Sequence, residues 1–356
     1  MINRHSIKSV KKHTAFIIPF VILVMSSCSN NKNDWLSMEG SVWNTTYNIK
    51  YFSSENLNDS ILNCFRKIDA ALSPFNPESI VSQINENKNY HINNIFRTVF
   101  ETSKQLSSLT EGYFDPSIGQ LINIWGFGPV KKMTNGIPDS STINEALKSV
   151  GILDCQLNAD TIIKKSPLTE FNFSAITKGF ACDYIASMFR RHNISNYLIE
   201  IGGEIYVNGK NPRNRSWVIQ IDAPIVNDRK VLHNNLTKIA IEKGGLATSG
   251  NYRNYRVVGS DSIGHTINPM TGLPVRSDLI SATVIANTAM TADAIATALM
   301  AMPVSLAIQT IASIPEIETL IVLAKDTEYT LPEDLSLIKG QRWEMVKTPG
   351  FPDFIN

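Results

Sequence analysis

The chain is 356 residues long, 43% hydrophobic and 18% charged, with a formal net charge of +1. That length holds one large domain or two of intermediate size, and the composition is that of a folded protein with a sizeable core. The charge hides an asymmetry: residues 1–27 carry Arg4, Lys8, Lys11 and Lys12 and no acid, so removing those four positive charges leaves a body at −3 with no basic run for nucleic acid.

The basic start leads into AFIIPFVILVM (15–25) and then Ser26-Ser27-Cys28. These are the parts of a secretory signal, and the apolar run is short for a spanning helix. A cysteine directly after small residues resembles a bacterial lipoprotein box, with Cys28 as the acylated first residue. The expectation is a signal peptide over 1–27, a lipidated cysteine and polar tether over 28–37, and a body over 38–356. That body would sit outside the cytoplasm, on the periplasmic side of a bacterial inner membrane. Cys64, Cys155 and Cys182 are too widely spaced for a disulfide framework or a zinc site and read as buried small hydrophobes.

Residues 38–52, rich in aromatic and β-branched side chains, predict a strand. Apolar spacing predicts a helix over 57–72, broken by the two prolines of 73–79, and a second over 94–110. Residues 112–129 are dense in glycine and aromatics and read as a cleft wall rather than a regular element. LTEFNFS (168–174) predicts a strand running into a helix over 178–192, which places Lys178 at the strand-to-helix turn. Further on, 196–209 reads as a strand pair closed near Gly202-Gly203, and 216–222 as a strand. Residues 226–238 read as a surface loop, and strand patterning resumes over 239–258. Helices and strands intersperse without strict βαβ alternation, which predicts an α+β fold with mixed, mostly antiparallel sheets and packed helices.

The segment from Gly264 to Thr297 carries most of the chemistry. His265 stands at the mouth of a Pro/Gly-punctuated loop, ISATVIA (280–286) follows as a strand, and an alanine-rich helix then places Asp293 and Thr297 on one face. A carboxylate and a hydroxyl backed by small side chains suit a hard cation such as Mg²⁺. The alternative is structural: an acid near a helix N-terminus and a threonine bonded to a preceding carbonyl. His265 is a candidate general base or a structural histidine. Lys178-Gly179 can present a cation and backbone N–H groups to an anion, or Lys178 is solvated surface. No G-x-S-x-G, H-E-x-x-H or G-x-G-x-x-G occurs, which argues against hydrolase, zincin and Rossmann readings. Trp43, Tyr47, Phe75, Tyr113, Phe114, Trp125 and Phe127 are core scaffolding or planes on which a flavin or adenine could stack.

Seven blocks stand in one order: LSPFNPESIVSQIN (72–85), GYFDPSIGQLINIWGFG (112–128), FSAITKGFACD (173–183), IEIGGEIYVNGKNP (199–212), ATSGNYRNY (247–255), HTINPMTGLPV (265–275) and TADAIATALM (291–300). Together they resemble the FAD:protein FMN transferase family, the ApbE-like flavin transferases. The resemblance implies a T-fold-like, two-lobed architecture with an FAD cleft. Such enzymes split FAD, attach its FMN half to a threonine of a target flavoprotein and release AMP, with Mg²⁺ at the pyrophosphate. By position it implies a metal held by Asp293, Thr297 and the Ala175 carbonyl, and FAD contacts from Trp43, Phe75, Tyr113, Phe114, Asp115, Asn172, Lys178 and Ile267. His265 falls at the family's histidine, the candidate base for the threonine, and shares the catalytic role with Asp293. The acceptors it suggests are subunits of Na⁺-translocating NADH:quinone oxidoreductases or Rnf-type complexes.

Two positions depart from the family pattern: Trp43-Asn44 stands where Met-Gly is usual, and Asn172 where an acid is usual. Two other readings stay open, namely hydrolysis of FAD to FMN and AMP, and a non-catalytic FAD-binding lipoprotein.

Overall fold

The computed structural model describes residues 33–129, 137–224, 226–227, 230–231, 235–250, 255–258, 261–340 and 342–355. Residues 1–27, expected to be a signal peptide, and Cys28 lie outside them. Nine strands form one sheet: β1 (Asp34–Val42), β2 (Thr45–Ser53), β3 (Tyr197–Ile201), β4 (Glu204–Asn208), β5 (Lys243–Gly250), β6 (Leu279–Ala286), β7 (Ile317–Ala324), β8 (Ser336–Lys339) and β9 (Trp343–Lys347). Their spatial order follows the chain except at the end, where β9 lies between β7 and β8, and every neighbouring pair is antiparallel. Among the described residues eight helices accompany the sheet: α1 (Asn58–Leu72), α2 (Ile80–Asn85), α3 (Asn94–Leu109), α4 (Gly119–Ile124), α5 (Ser140–Leu147), α6 (Ser174–Arg191), α7 (Ala289–Ala301) and α8 (Val304–Ser313). The α+β class holds.

Period-2 alternation sorts the sheet's side chains onto two faces. Tyr206, Ala247 and Ile321 join the main core with α1, α3, α6 and α7. Their chain neighbours Val207, Leu246 and Leu320 face a second core made by the strand pair 217–222 and 235–241 with Phe351. A third, small cluster (Leu121, Trp125, Ile143, Ala146 and Ile267) stands apart from both. The three remaining cysteines are buried and free.

Several boundaries differ from the sequence expectation. The strand read over 38–52 is a hairpin, and β1 begins at Asp34, inside the segment read as tether. The turn carries no local signal, because it contains neither Gly nor Pro. Trp43 (φ 47°) and Asn44 (φ 60°) both take left-handed conformations, the geometry of a two-residue type I′ turn. Asparagine tolerates that conformation, whereas tryptophan is strained in it by about 1–3 kcal/mol. Trp43 is held there by its Nε1 bond to Asp69 Oδ1 (3.2 Å) and an edge contact with Phe65.

LTEFNFS is not a strand. Phe171 and Phe173 alternate into the core and stack on each other, which imitates the strand pattern. Their backbone groups pair elsewhere: the Asn85 amide exchanges two hydrogen bonds with Phe171, and Asn172 N–H donates to Pro116 O. Helix α6 starts at Ser174, so Lys178 stands in its second turn rather than at a strand-to-helix junction. The cleft-wall segment 112–129 contains α4. The loop read over 226–238 contains the short pairing of 226–227 with 230–231, and a strand begins at Asn235.

Candidate active site

Helix α7 is the centre of the site. Eleven of its thirteen residues are buried, and the alanines let it lie against β5, β6 and α6 at once. Two glycines permit this approach. A Cβ on Gly245 of β5 would fall 2.1 Å from Ala289 N, and one on Gly179 of α6 would fall 2.2 Å from Ala289 O. The helix start is capped three times: Thr288 Oγ1 accepts from Thr291 N–H, and the Asp183 carboxylate accepts from Ala289 N–H (2.9 Å) and Met290 N–H (2.8 Å). Burial lifts the Asp183 carboxyl to about 7 despite those two bonds.

Within that apolar packing lies a charged knot. Asp293 is 2% exposed and accepts from Gly179 N–H at 3.0 Å. Lys178 Nζ lies 3.9 Å from Asp293 Oδ2 and 3.1 Å from Glu204 Oε1, and Glu204 is also buried. Burial raises both carboxyls, partly offset by the ammonium. Burial works against the Lys178 cation as well, but the two acids outweigh it and hold it charged. Thr297, one turn beyond Asp293, contacts Ser249 Oγ at 3.3 Å.

This knot forms the floor of a cavity of about 640 Å³, the size of a cofactor site. Every residue expected at the site lines it: Trp43, Phe75, Tyr113, Phe114, Asp115, Asn172, Ala175, Lys178, His265, Ile267, Asp293 and Thr297. One wall comes from α1 and the 73–76 loop, where Phe75 is 61% exposed and free to take a ring. Ile118, Phe127 and Ile267, packed in or against the third cluster, make another with Ile122, so the cavity lies between that cluster and the main core. Within this second wall the Trp125 indole donates to Gly272 O, joining residues 147 positions apart. Tyr47 is buried against Phe65, in the core rather than the cleft. The Asp115 carboxylate accepts from Ser117 in its own loop and from Ile152 N–H, 37 positions on. Asn172 Oδ1 accepts from Ser174 N–H and so shapes the start of α6. His265 lies on the exposed rim.

The oxygen donors suit a hard cation. Asp293 offers a carboxylate, Thr297 a hydroxyl and Ala175 a carbonyl, and among the described residues no cluster of three or more His, Cys, Asp or Glu competes with them. In a regular helix the Ala175 carbonyl is the partner of Gly179 N–H, and that N–H is directed at Asp293 as well, which leaves the carbonyl with lone-pair capacity.

Residues 43–321 match the ApbE family. The chain belongs to the ApbE family. The FAD:protein FMN transferase of Haemophilus influenzae is 31% identical over 308 residues, covering 82% of this chain and 88% of that protein. The FAD:protein FMN transferase of Vibrio cholerae is 32% identical, covering 79% and 85%. The solved flavin transferase ApbE from Vibrio cholerae superposes with a TM-score of 0.76 at 27% identity, covering 91% of this chain and all of that one. The apo Pseudomonas stutzeri flavinyl transferase, at 24% identity and a TM-score of 0.75, shares the fold, covering 90% and 96%. In this ApbE-family chain four residues of the site escaped sequence reasoning: Asp69, Asp183, Glu204 and Ser249. Glu204 left a signal, a charged residue that opens a strand directly after the Gly202-Gly203 turn and precedes the run Ile205-Tyr206-Val207; Asp183 left none, since an acid in a helix is ordinary.

Proposed function

We propose that this protein is an Mg²⁺-dependent FAD:protein FMN transferase, joining the FMN half of FAD to a threonine of a target flavoprotein and releasing AMP. The observation that carries it is the buried Asp293 on the cavity floor, beside the Lys178 ammonium and one turn from Thr297. The family and the names of the relatives support the same chemistry.

Phosphoryl transfer needs positioning and charge neutralisation more than covalent chemistry. Phe75, Tyr113 and the apolar walls seat the rings of FAD, and Lys178 faces the negative pyrophosphate. The threonine oxygen forms a bond to the FMN phosphorus while the bond from that phosphorus to the bridging oxygen breaks. His265 takes the hydroxyl proton, and AMP leaves with the bridging oxygen. Asp293, Thr297 and the Ala175 carbonyl would hold Mg²⁺, which supplies charge neutralisation at the pyrophosphate.

The remaining features extend this reading. Cys28 is the acylated residue, and the body works on the periplasmic face of the inner membrane. The targets are threonine-bearing subunits of Na⁺-translocating NADH:quinone oxidoreductases or Rnf-type complexes. Among the described residues no helix is long and apolar enough to span a membrane; in this reading the lipid on Cys28 supplies the anchor. Palmitate labelling of the expressed chain, lost in Cys28→Ala, checks this point.

Incubation of the purified protein with FAD, Mg²⁺ and a threonine-bearing acceptor tests the central reading. The expected result is a gain of FMN mass on the acceptor with matching AMP. AMP without that gain identifies hydrolysis instead, and tight FAD binding without AMP identifies a carrier.

A further inference from the structure

Glu204 is a buried acid of the cleft to which the reaction above gives no role. It opens β4 directly after the Gly202-Gly203 turn, is 5% exposed and lines the cavity. Oε1 meets Lys178 at 3.1 Å, while Oε2 is buried with no hydrogen-bond partner among the described residues. A buried carboxylate left half-satisfied is costly, so stability alone does not account for it.

Lys178 stands between two acids that are not equivalent. Asp293 is closed onto Gly179 N–H and is the candidate cation ligand, and its contact with the ammonium is the longer of the two, 3.9 Å against 3.1 Å. A cation seated on Asp293 would draw that carboxylate's charge away from Lys178. Glu204, on the opposite element, would then be the acid left facing the ammonium. We propose that Glu204 is a positioning residue that aims Lys178 at the FAD pyrophosphate once Asp293 has taken its metal ion. The proposal rests on the flavin-transferase reading and deepens it, because it assigns the two acids separate tasks at one lysine.

A double-mutant cycle tests it. FAD binding is followed by stopped-flow flavin fluorescence, before turnover, for the wild type, Glu204→Gln, Lys178→Met and the double variant, each with Mg²⁺ and with EDTA. Glu204→Gln should weaken binding about tenfold with Mg²⁺ but less than about threefold in EDTA, the size of one close charge pair. It should add nothing further in the Lys178→Met background, and Glu204→Asp, which keeps the charge, should recover most of the loss. Equal losses with Mg²⁺ and EDTA, or a full further loss without Lys178, would overturn the proposal. If Glu204→Gln does not fold, the same comparison is made with Glu204→Asp, whose shorter reach should give a smaller loss of the same pattern. Failure of the transferase reading itself would show separately, as a wild type that binds FAD and releases no AMP.

Discussion

Gly179 donates its backbone N–H to Asp293 Oδ2 at 3.0 Å across the seam between α6 and α7, joining residues 114 positions apart. The contact exists because position 179 has no side chain. A Cβ there would lie 2.2 Å from Ala289 O and 2.9 Å from Asp293 Cβ, so backbone would have to move. Gly179→Ala should therefore destabilise the fold by about 1–3 kcal/mol and displace the carboxylate. Thermal unfolding alongside Mg²⁺-dependent AMP release checks both; wild-type values for the two would show that the seam has slack.

Asp293→Asn keeps the shape and removes the charge. Lys178 retains Glu204 at 3.1 Å, so the fold should survive. Mg²⁺-dependent turnover should drop by at least about a hundredfold, the scale of losing a principal electrostatic group. FAD binding in EDTA should change little. Turnover at the wild-type rate would remove Asp293 from the metal assignment.

His265 stands on the rim of the cavity rather than on its floor. His265→Asn should slow transfer to the acceptor by about 10²–10⁴, the usual contribution of a general base. FAD affinity, read by fluorescence quenching, should stay as in the wild type. A parallel fall in affinity would make His265 a ligand contact.

Asp183 gives the pH prediction. Burial lifts its carboxyl from the ordinary 3.8 to about 7 in the folded protein. The native state then binds the proton more tightly than the unfolded chain, so this group's contribution is fully present below about pH 4 and is lost as pH rises towards 7. The facing groups are the Ala289 and Met290 N–H donors, the Arg190 cation, the Asp293 carboxyl and the Tyr197 and Tyr206 hydroxyls. Asp183→Asn removes the titration, so denaturant unfolding at pH 4 to 8 should show the variant gaining on the wild type as pH rises. A gap independent of pH would show that the carboxyl titrates alike in both states.

The elements with one dominant period were legible. Helix α1 and helix α3 bury one stripe each, and β3, β4 and β6 alternate or run apolar as their sequences suggest. The failures are places where another part of the chain satisfied the backbone. Trp43-Asn44 turns without Gly because Asp69 and Phe65 hold the indole, and Phe171–Phe173 reads as a strand although Asn85 and Pro116 take its backbone bonds. Neither partner is visible from the local sequence.

The same division runs through the site. The sequence by itself determined which groups are present: an acid and a hydroxyl one helical turn apart, a lysine before a glycine, a histidine at a loop mouth, and the ordered blocks of the ApbE family. Spacing along one element suffices for that, because i and i+4 share a helix face whatever surrounds them. Only the tertiary structure decided that Asp293 is buried, that Glu204 shares its lysine and that Asp183 caps its helix. Those are properties of electrostatics in a desolvated space, and the space is enclosed by α6, α7, β4 and β5, segments far apart in the chain.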